Sequence, residues 1–148
     1  AGVNLVVAGD GREGDKCRSL AHGGNVEFLG RVSDTELRTL YRQATAMLMP
    51  GEEDFGITPV EAMACGTPVI ALGVGGALDS VVEGVTGTFI EGAGDDEIIG
   101  RFADTLAAFD RQRFDPAGIR RHAQTFSREA FRAKMADVVD RTVAHSSR

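Results

Sequence analysis

Pro50-Gly51-Glu52-Glu53-Asp54-Phe55-Gly56-Ile57-Thr58-Pro59-Val60-Glu61-Ala62-Met63-Ala64-Cys65-Gly66-Thr67-Pro68-Val69-Ile70-Ala71 decides how this chain is read. The stretch leaves a short apolar run, Ala46–Met49, crosses an acidic loop, and enters a compact segment that reads as a helix. Thr58 is the expected N-cap, Pro59 suits the first helical position, and Gly66 suits the stop. A second apolar run, Val69–Leu72, follows at once. Strand, loop, helix and strand within so few residues predict a βαβ unit with parallel strands.

Working outward, the same alternation continues on both sides. Asn4–Ala8, Val26–Leu29 and Thr88–Ile90 complete a set of candidate strands. Ser33 and Glu36 have the spacing of a capping box, after which Leu37, Leu40, Tyr41 and Ala44 share one helical face. Asp95-Asp96-Glu97 is an acidic first turn for a helix whose Ile98, Ile99, Phe102, Leu106 and Phe109 face inward. A short helix is expected after Pro116, and a last one from Ser127 to about His145 with Phe131, Met135, Val138 and Val139 inward. The expected fold class is α/β, a Rossmann-like parallel sheet with flanking helices and a helical end.

Composition narrows the function classes. The chain has 148 residues, 43% apolar and 26% charged, with a formal net charge of −6. This is the mix of one globular domain, which excludes disordered, collagen-like and coiled-coil classes. No apolar stretch is long enough for a spanning helix. Cys17 and Cys65 lack metal spacing and suit a reducing compartment, so a cytoplasmic location is expected, with membrane-peripheral attachment left open to a longer protein. Between Gln43 and Gly100 no Lys or Arg occurs, while ten Asp or Glu do. Nucleic acid needs clustered cations, so it is not an expected partner.

Glycines gather where candidate strands end, at Gly9, Gly11, Gly30, Gly51, Gly56 and the run Gly73-Val74-Gly75-Gly76. At the carboxyl edge of a parallel sheet, glycine lets main-chain N–H groups approach a phosphate. Gly9-Asp10-Gly11-Arg12-Glu13-Gly14 matches G-x-G-x-x-G, a weak signal alone. A dinucleotide site wants a full helix next and an acidic residue after the following strand. Here there is room for only about two helical turns, and Glu27 falls inside the strand. A nicotinamide-binding oxidoreductase is therefore the less favoured reading. The N–H groups near Phe55–Thr58 form a positive pole for a phosphate or sugar hydroxyl. On spacing alone, Glu61 would cap its own helix with Thr58, and Glu53 would be a solvated loop residue.

The run EDFGITPVEAMACGTPVIA, Glu53–Ala71, closely resembles the E-x7-E motif of retaining glycosyltransferases of family 4, which have the GT-B fold. The resemblance continues through VVAGDG at Val6–Gly11, VEFLGRVSDTEL at Val26–Leu37 and GVGGALDSVVEGVTG at Gly73–Gly87, and the tail around Phe126–Glu129 is similar too. It implies that Glu61 accepts hydrogen bonds from the ribose of a nucleotide-sugar and that Glu53, the catalytic candidate, contacts donor-sugar hydroxyls. It also implies that main-chain N–H groups of Phe55, Gly56 and Ile57, with Thr58, hold sugar and diphosphate. Arg31 and Val32 would lie against the base, and Gly9 and Gly11 would line the same cleft. No metal ligand is implied, and His22, His122 and His145 lack metal spacing. Asp54 departs from the glycine of many members. Acidic variants there occur in mannosyl-transferring branches, which brings in GDP-mannose as a donor.

The resemblance covers a donor-binding half only. It implies an N-terminal acceptor domain outside this chain, and also a first strand of the donor domain lying between Asn4–Ala8 and Ala46–Met49. Beginning at Ala1, the chain reads as a fragment, inactive by itself. Without that strand, the two flanking strands are expected to close together or to exchange a strand with another chain. A stand-alone nucleotide-binding or regulatory module is the rival reading.

Overall fold

The computed structural model describes residues 3–21 and 25–146; His22 and the side chain of His145 lie outside the described residues. Five strands alternate with helices: β1 (Leu5–Ala8), α1 (Gly14–Leu20), β2 (Val26–Gly30), α2 (Asp34–Gln43), β3 (Met47–Met49), α3 (Ile57–Ala64), β4 (Val69–Leu72), α4 (Ala77–Ser80), β5 (Gly87–Ile90), α5 (Asp95–Ala108), α6 (Pro116–Gln124) and α7 (Arg128–Ser146). All strand pairs are parallel, β1 with β2 and β3 with β4 with β5. The α/β class and the five strands follow the sequence reading, with ends shifted by a residue.

The core lies around the three-stranded sheet. On one side Met63 of α3 and Ile119 and Ala123 of α6 pack with Met49, Val69 and Ala71, and on the other Phe102 of α5 packs with Ile70 and Ile90. Apolar runs such as Val69–Leu72, covered on both faces, are what a central parallel strand requires. Among the described residues, no helix is long and apolar enough to cross a membrane.

A single sheet does not form. β1–β2 and β3–β4–β5 are separate, and β1 is not paired with β3. The expected closure of these two strands is therefore incorrect for this chain. Closing them would require α2 to shift, and α2 is anchored at its end. The Thr67 hydroxyl at the start of β4 donates to the Tyr41 carbonyl, and the Arg111 guanidinium donates to the Ala44 carbonyl at 2.9 Å. Thr67 is fully buried, so Thr67→Val removes a donor and leaves that carbonyl short of a partner. Urea unfolding should show a loss of about 1 kcal/mol.

Two other expectations fail. Ile99 is 65% exposed, because α5 turns it away from β5. Phe131, Met135, Val138 and Val139 do share one face of α7, but they are exposed, Phe131 at 61%. Their spacing states which residues share a face, and nothing among the described residues covers it.

The capping box at α2 is present, with Glu36 N–H donating to Ser33 Oγ and Ser33 N–H to the Glu36 carboxylate. Hydrogen bonds from the Ser33 hydroxyl and then its N–H hold the Glu36 carboxyl below its usual pKa. At α6, where sequence reading found only Pro116, Asp115 caps the helix; the N–H groups of Ala117 and Gly118 lower its pKa. A carboxylate with a depressed folded pKa binds its proton more readily when unfolded. Its contribution is thus present above the unfolded pKa and lost as pH falls through the folded one. Acid titration of stability should lose part of this slope in Ser33→Ala, which should also unfold about 1 kcal/mol more easily at neutral pH.

Candidate functional site at the strand ends

The loop after β3 turns into α3 at Gly56, which adopts a left-handed conformation with φ of 71° and serves as the N-cap. Thr58 is not the cap. It lies inside the first turn, and no side chain caps this helix. The turn needs a residue that accepts positive φ at little cost, and it is tight, since a Cβ on Gly56 would stand 3.2 Å from the Met49 methyl. The expected Thr58–Glu61 capping box is accordingly absent. Pro59 has no N–H to offer, so the first-turn donors are Ile57, Thr58 and Val60.

Glu53 precedes that helix start and Glu61 lies one turn inside the helix, and both are exposed. Among the described residues neither carboxylate makes a hydrogen bond or ion pair. Burial, then the charge of Glu61, push the Tyr41 phenol of α2 up to about 12, with Cys65 adding a smaller effect. The helix closes as expected at Gly66, where φ is 83°. Gly66 N–H donates to the Met63 carbonyl at 2.8 Å and Thr67 N–H to Ala62 at 3.1 Å, a Schellman arrangement. Both ends of α3 are thereby set, and Glu61 stands at a defined place one turn into the helix.

The glycine run after β4 packs on the acidic loop. Gly76 N–H donates to the Glu53 carbonyl at 2.7 Å. A Cβ on Gly76 would lie 2.6 Å from the Phe55 backbone, and one on Gly75, whose φ is 55°, would lie 2.7 Å from the Glu53 carbonyl oxygen. The sequence marked these glycines as a cluster but did not show which loop they touch. That pairing arises because β3 and β4 are neighbours, so their carboxyl ends adjoin.

The remaining predicted residues stand at the ends of the other sheet. Gly9, with φ of 130°, ends β1 and donates to the Gly30 carbonyl at 2.7 Å. Gly11 is exposed in the next loop, Arg31 is exposed beyond β2, and Val32 is half-buried. Helix α1 is seven residues, the two turns expected. Among the described residues no hydrogen bond links this group to the loop of Glu53. Glu53, Phe55, Gly56, Ile57, Thr58 and Glu61 thus lie on the one segment after β3, while Gly9, Gly11, Arg31 and Val32 follow the strands of the other sheet. No group of three metal-ligating side chains occurs among the described residues.

The sequence profile of the family Glycosyl transferases group 1 matches residues 1–120. Among curated relatives, D-inositol 3-phosphate glycosyltransferase of Mycobacterium tuberculosis is 39% identical over 145 residues, covering 86% of this chain and 29% of its own length. Among solved structures, sucrose-phosphate synthase from Thermosynechococcus elongatus superposes with a TM-score of 0.73 at 29% identity, over 97% of this chain and 39% of that one. HepE from Anabaena, in complex with UDP and glucose, superposes with a TM-score of 0.72 at 23% identity, a likeness of fold, over 93% of this chain and 40% of that one. The chain thus spans less than a third of the length of the curated relatives it matches.

Proposed function

Because this chain belongs to the group 1 glycosyl transferase family, we propose that it is the donor-binding half of a retaining enzyme that moves a hexose from a nucleoside diphosphate to an acceptor hydroxyl. The observation that supports the reading is the turn at Gly56, which leaves the first-turn N–H groups of α3 without a side-chain cap on the segment that also carries the exposed Glu53 and Glu61, whose carboxylates have no hydrogen-bond partner among the described residues. A carboxylate suits paired hydroxyls, and main-chain N–H groups suit phosphate oxygens.

In this reading Glu61 accepts from the two ribose hydroxyls and Glu53 from hydroxyls of the transferred sugar. The N–H groups of Phe55, Gly56, Ile57 and Thr58 donate to sugar and diphosphate. As the bond to the sugar breaks, negative charge grows on the departing diphosphate, and donors already aimed at it stabilise that charge without reorganising. Arg31 and Val32 meet the base, and Gly9 and Gly11 line the cleft. The acceptor is supplied by a domain outside these residues, with the missing strand of the sheet also outside them.

Several solved structures of this fold are complexes with UDP, so UDP-hexoses are the first donors to test, with GDP-mannose as the rival raised by Asp54. Calorimetry of the full-length protein with UDP-glucose, UDP-GlcNAc, GDP-mannose and NAD should show binding of a nucleotide-sugar and none of NAD. Preference for NAD would instead support an oxidoreductase, and tight nucleotide-sugar binding without turnover would support a regulatory module. The 148-residue chain alone should release no nucleoside diphosphate from any donor. Turnover by it would overturn the half-enzyme reading.

A further inference from the structure

We propose that Phe126, set by His122, is a positioning residue for the loop that carries Glu53. The inference rests on the proposed role of Glu53 and adds a residue that lies more than sixty positions away in sequence. Phe126 follows the end of α6, and its ring meets Phe55 of the loop edge to face, with centroids 6.2 Å apart and planes at 72°. His122, one turn earlier, meets Phe126 in the same manner at 5.4 Å and 72°.

His122 is itself tied down. Its Nε2 lies 2.8 Å from the Ser80 carbonyl at the end of α4. A carbonyl only accepts, so Nε2 carries the proton and donates. The Ser80 hydroxyl, buried, donates to the Gly76 carbonyl at 3.0 Å, and Gly76 N–H donates to the Glu53 carbonyl at 2.7 Å. The contacts close a circuit from Glu53 through Gly76, Ser80, His122 and Phe126 to Phe55, two residues along the same loop. The loop is thus held at two points, one by a main-chain hydrogen bond and one by an aromatic edge.

The need for such a brace follows from Glu53 itself. Its side chain is exposed and has no hydrogen-bond partner among the described residues, so only its main chain fixes where the carboxylate starts. Gly76 holds the carbonyl of Glu53 and abuts the Asp54–Phe55 backbone, which leaves the Phe55 side chain to be fixed by a second contact. Phe126 supplies that second constraint. An error of an ångström in a group that meets the reacting sugar is enough to slow transfer severely.

The test compares full-length wild type, Phe126→Ala and Phe126→Tyr by amide hydrogen exchange and by donor hydrolysis with UDP-glucose and other nucleotide-sugars. In Phe126→Ala, amides at 53–57 should exchange about tenfold faster while those of β4 do not change, since loops and core open separately. Donor turnover should fall about tenfold while the Kd for UDP stays within about twofold, because positioning is lost and nucleotide contacts are kept. Phe126→Tyr, which keeps the ring, should restore both. Unchanged exchange at 53–57, or equal loss of UDP and nucleotide-sugar binding, would overturn the proposal. If Phe126→Ala does not fold, Phe126→Leu takes its place. Failure of the wild type to bind any nucleotide-sugar would count against the functional reading, whereas the exchange measurement judges the brace separately.

Discussion

Glu53→Ala in the full-length protein should lower kcat/KM for sugar transfer roughly 10- to 150-fold, the equivalent of about 1.5–3 kcal/mol for a hydrogen bond to a charged group. Affinity for the nucleoside diphosphate should stay within about twofold, since the diphosphate is held by main-chain N–H groups that a side-chain truncation does not remove. Glu53 is exposed and its carboxylate makes no hydrogen bond among the described residues, so the substitution should also leave the unfolding midpoint almost unchanged. Transfer kinetics, calorimetry with UDP and a thermal melt read the three quantities. Equal losses in nucleoside diphosphate and nucleotide-sugar binding would count against assigning Glu53 to the sugar.

Glu61→Gln should produce the complementary pattern, a loss of about 1–3 kcal/mol in nucleotide affinity. The amide keeps the shape of the side chain but loses the charge and half of its acceptor capacity, which two ribose hydroxyls would use. The competing idea, that Glu61 is retained to cap α3, predicts a fall in stability with nucleotide affinity intact. That idea starts at a disadvantage, because Gly56 occupies the cap position and no side chain bonds to the helix start. A melt alongside the titration separates the two. Glu61→Gln should also let the Tyr41 phenol titrate at a lower pH, since the Glu61 charge is one of the influences raising it.

Much of the architecture was legible in the chain. Alternating short apolar runs and helical stripes require strands buried on both faces, and the polar loop from Pro50 to Gly56 could only be a strand-end connection. The cap at Ser33 and the stop at Gly66 were legible for a related reason. Each depends on groups within a few residues of one another, so spacing alone decides them. The candidate carboxylates were equally legible as positions, although their roles came from a resemblance and not from spacing.

Where local rules competed with the surroundings, the surroundings won. Thr58 and Glu61 have the spacing of a capping box, yet the chain enters α3 through a left-handed Gly56, packed against Met49 and Pro59. Position in the helix thereby moved by two residues, and Thr58 lost the extended backbone that a cap requires. The apolar face of α7 was correctly identified, but whether a face is covered depends on elements distant in sequence. The same holds for the pairing of β1 with β3, which the structure does not make.

By itself, then, the sequence determined the α/β alternation, the parallel strands, the cap at Ser33, the stop at Gly66 and the stretch that carries both glutamates, because all of these are encoded by periodicity and by contacts between near neighbours. Only the tertiary structure decided that the strands form two sheets, that Gly76 grips the Glu53 loop, and that Phe126 of the helical end rests on Phe55. Those contacts join residues more than twenty and more than seventy positions apart, and they exist because adjacent parallel strands deliver their carboxyl ends side by side while α6 packs back onto α3. No local pattern specifies such a meeting, since it is set by how the layers pack.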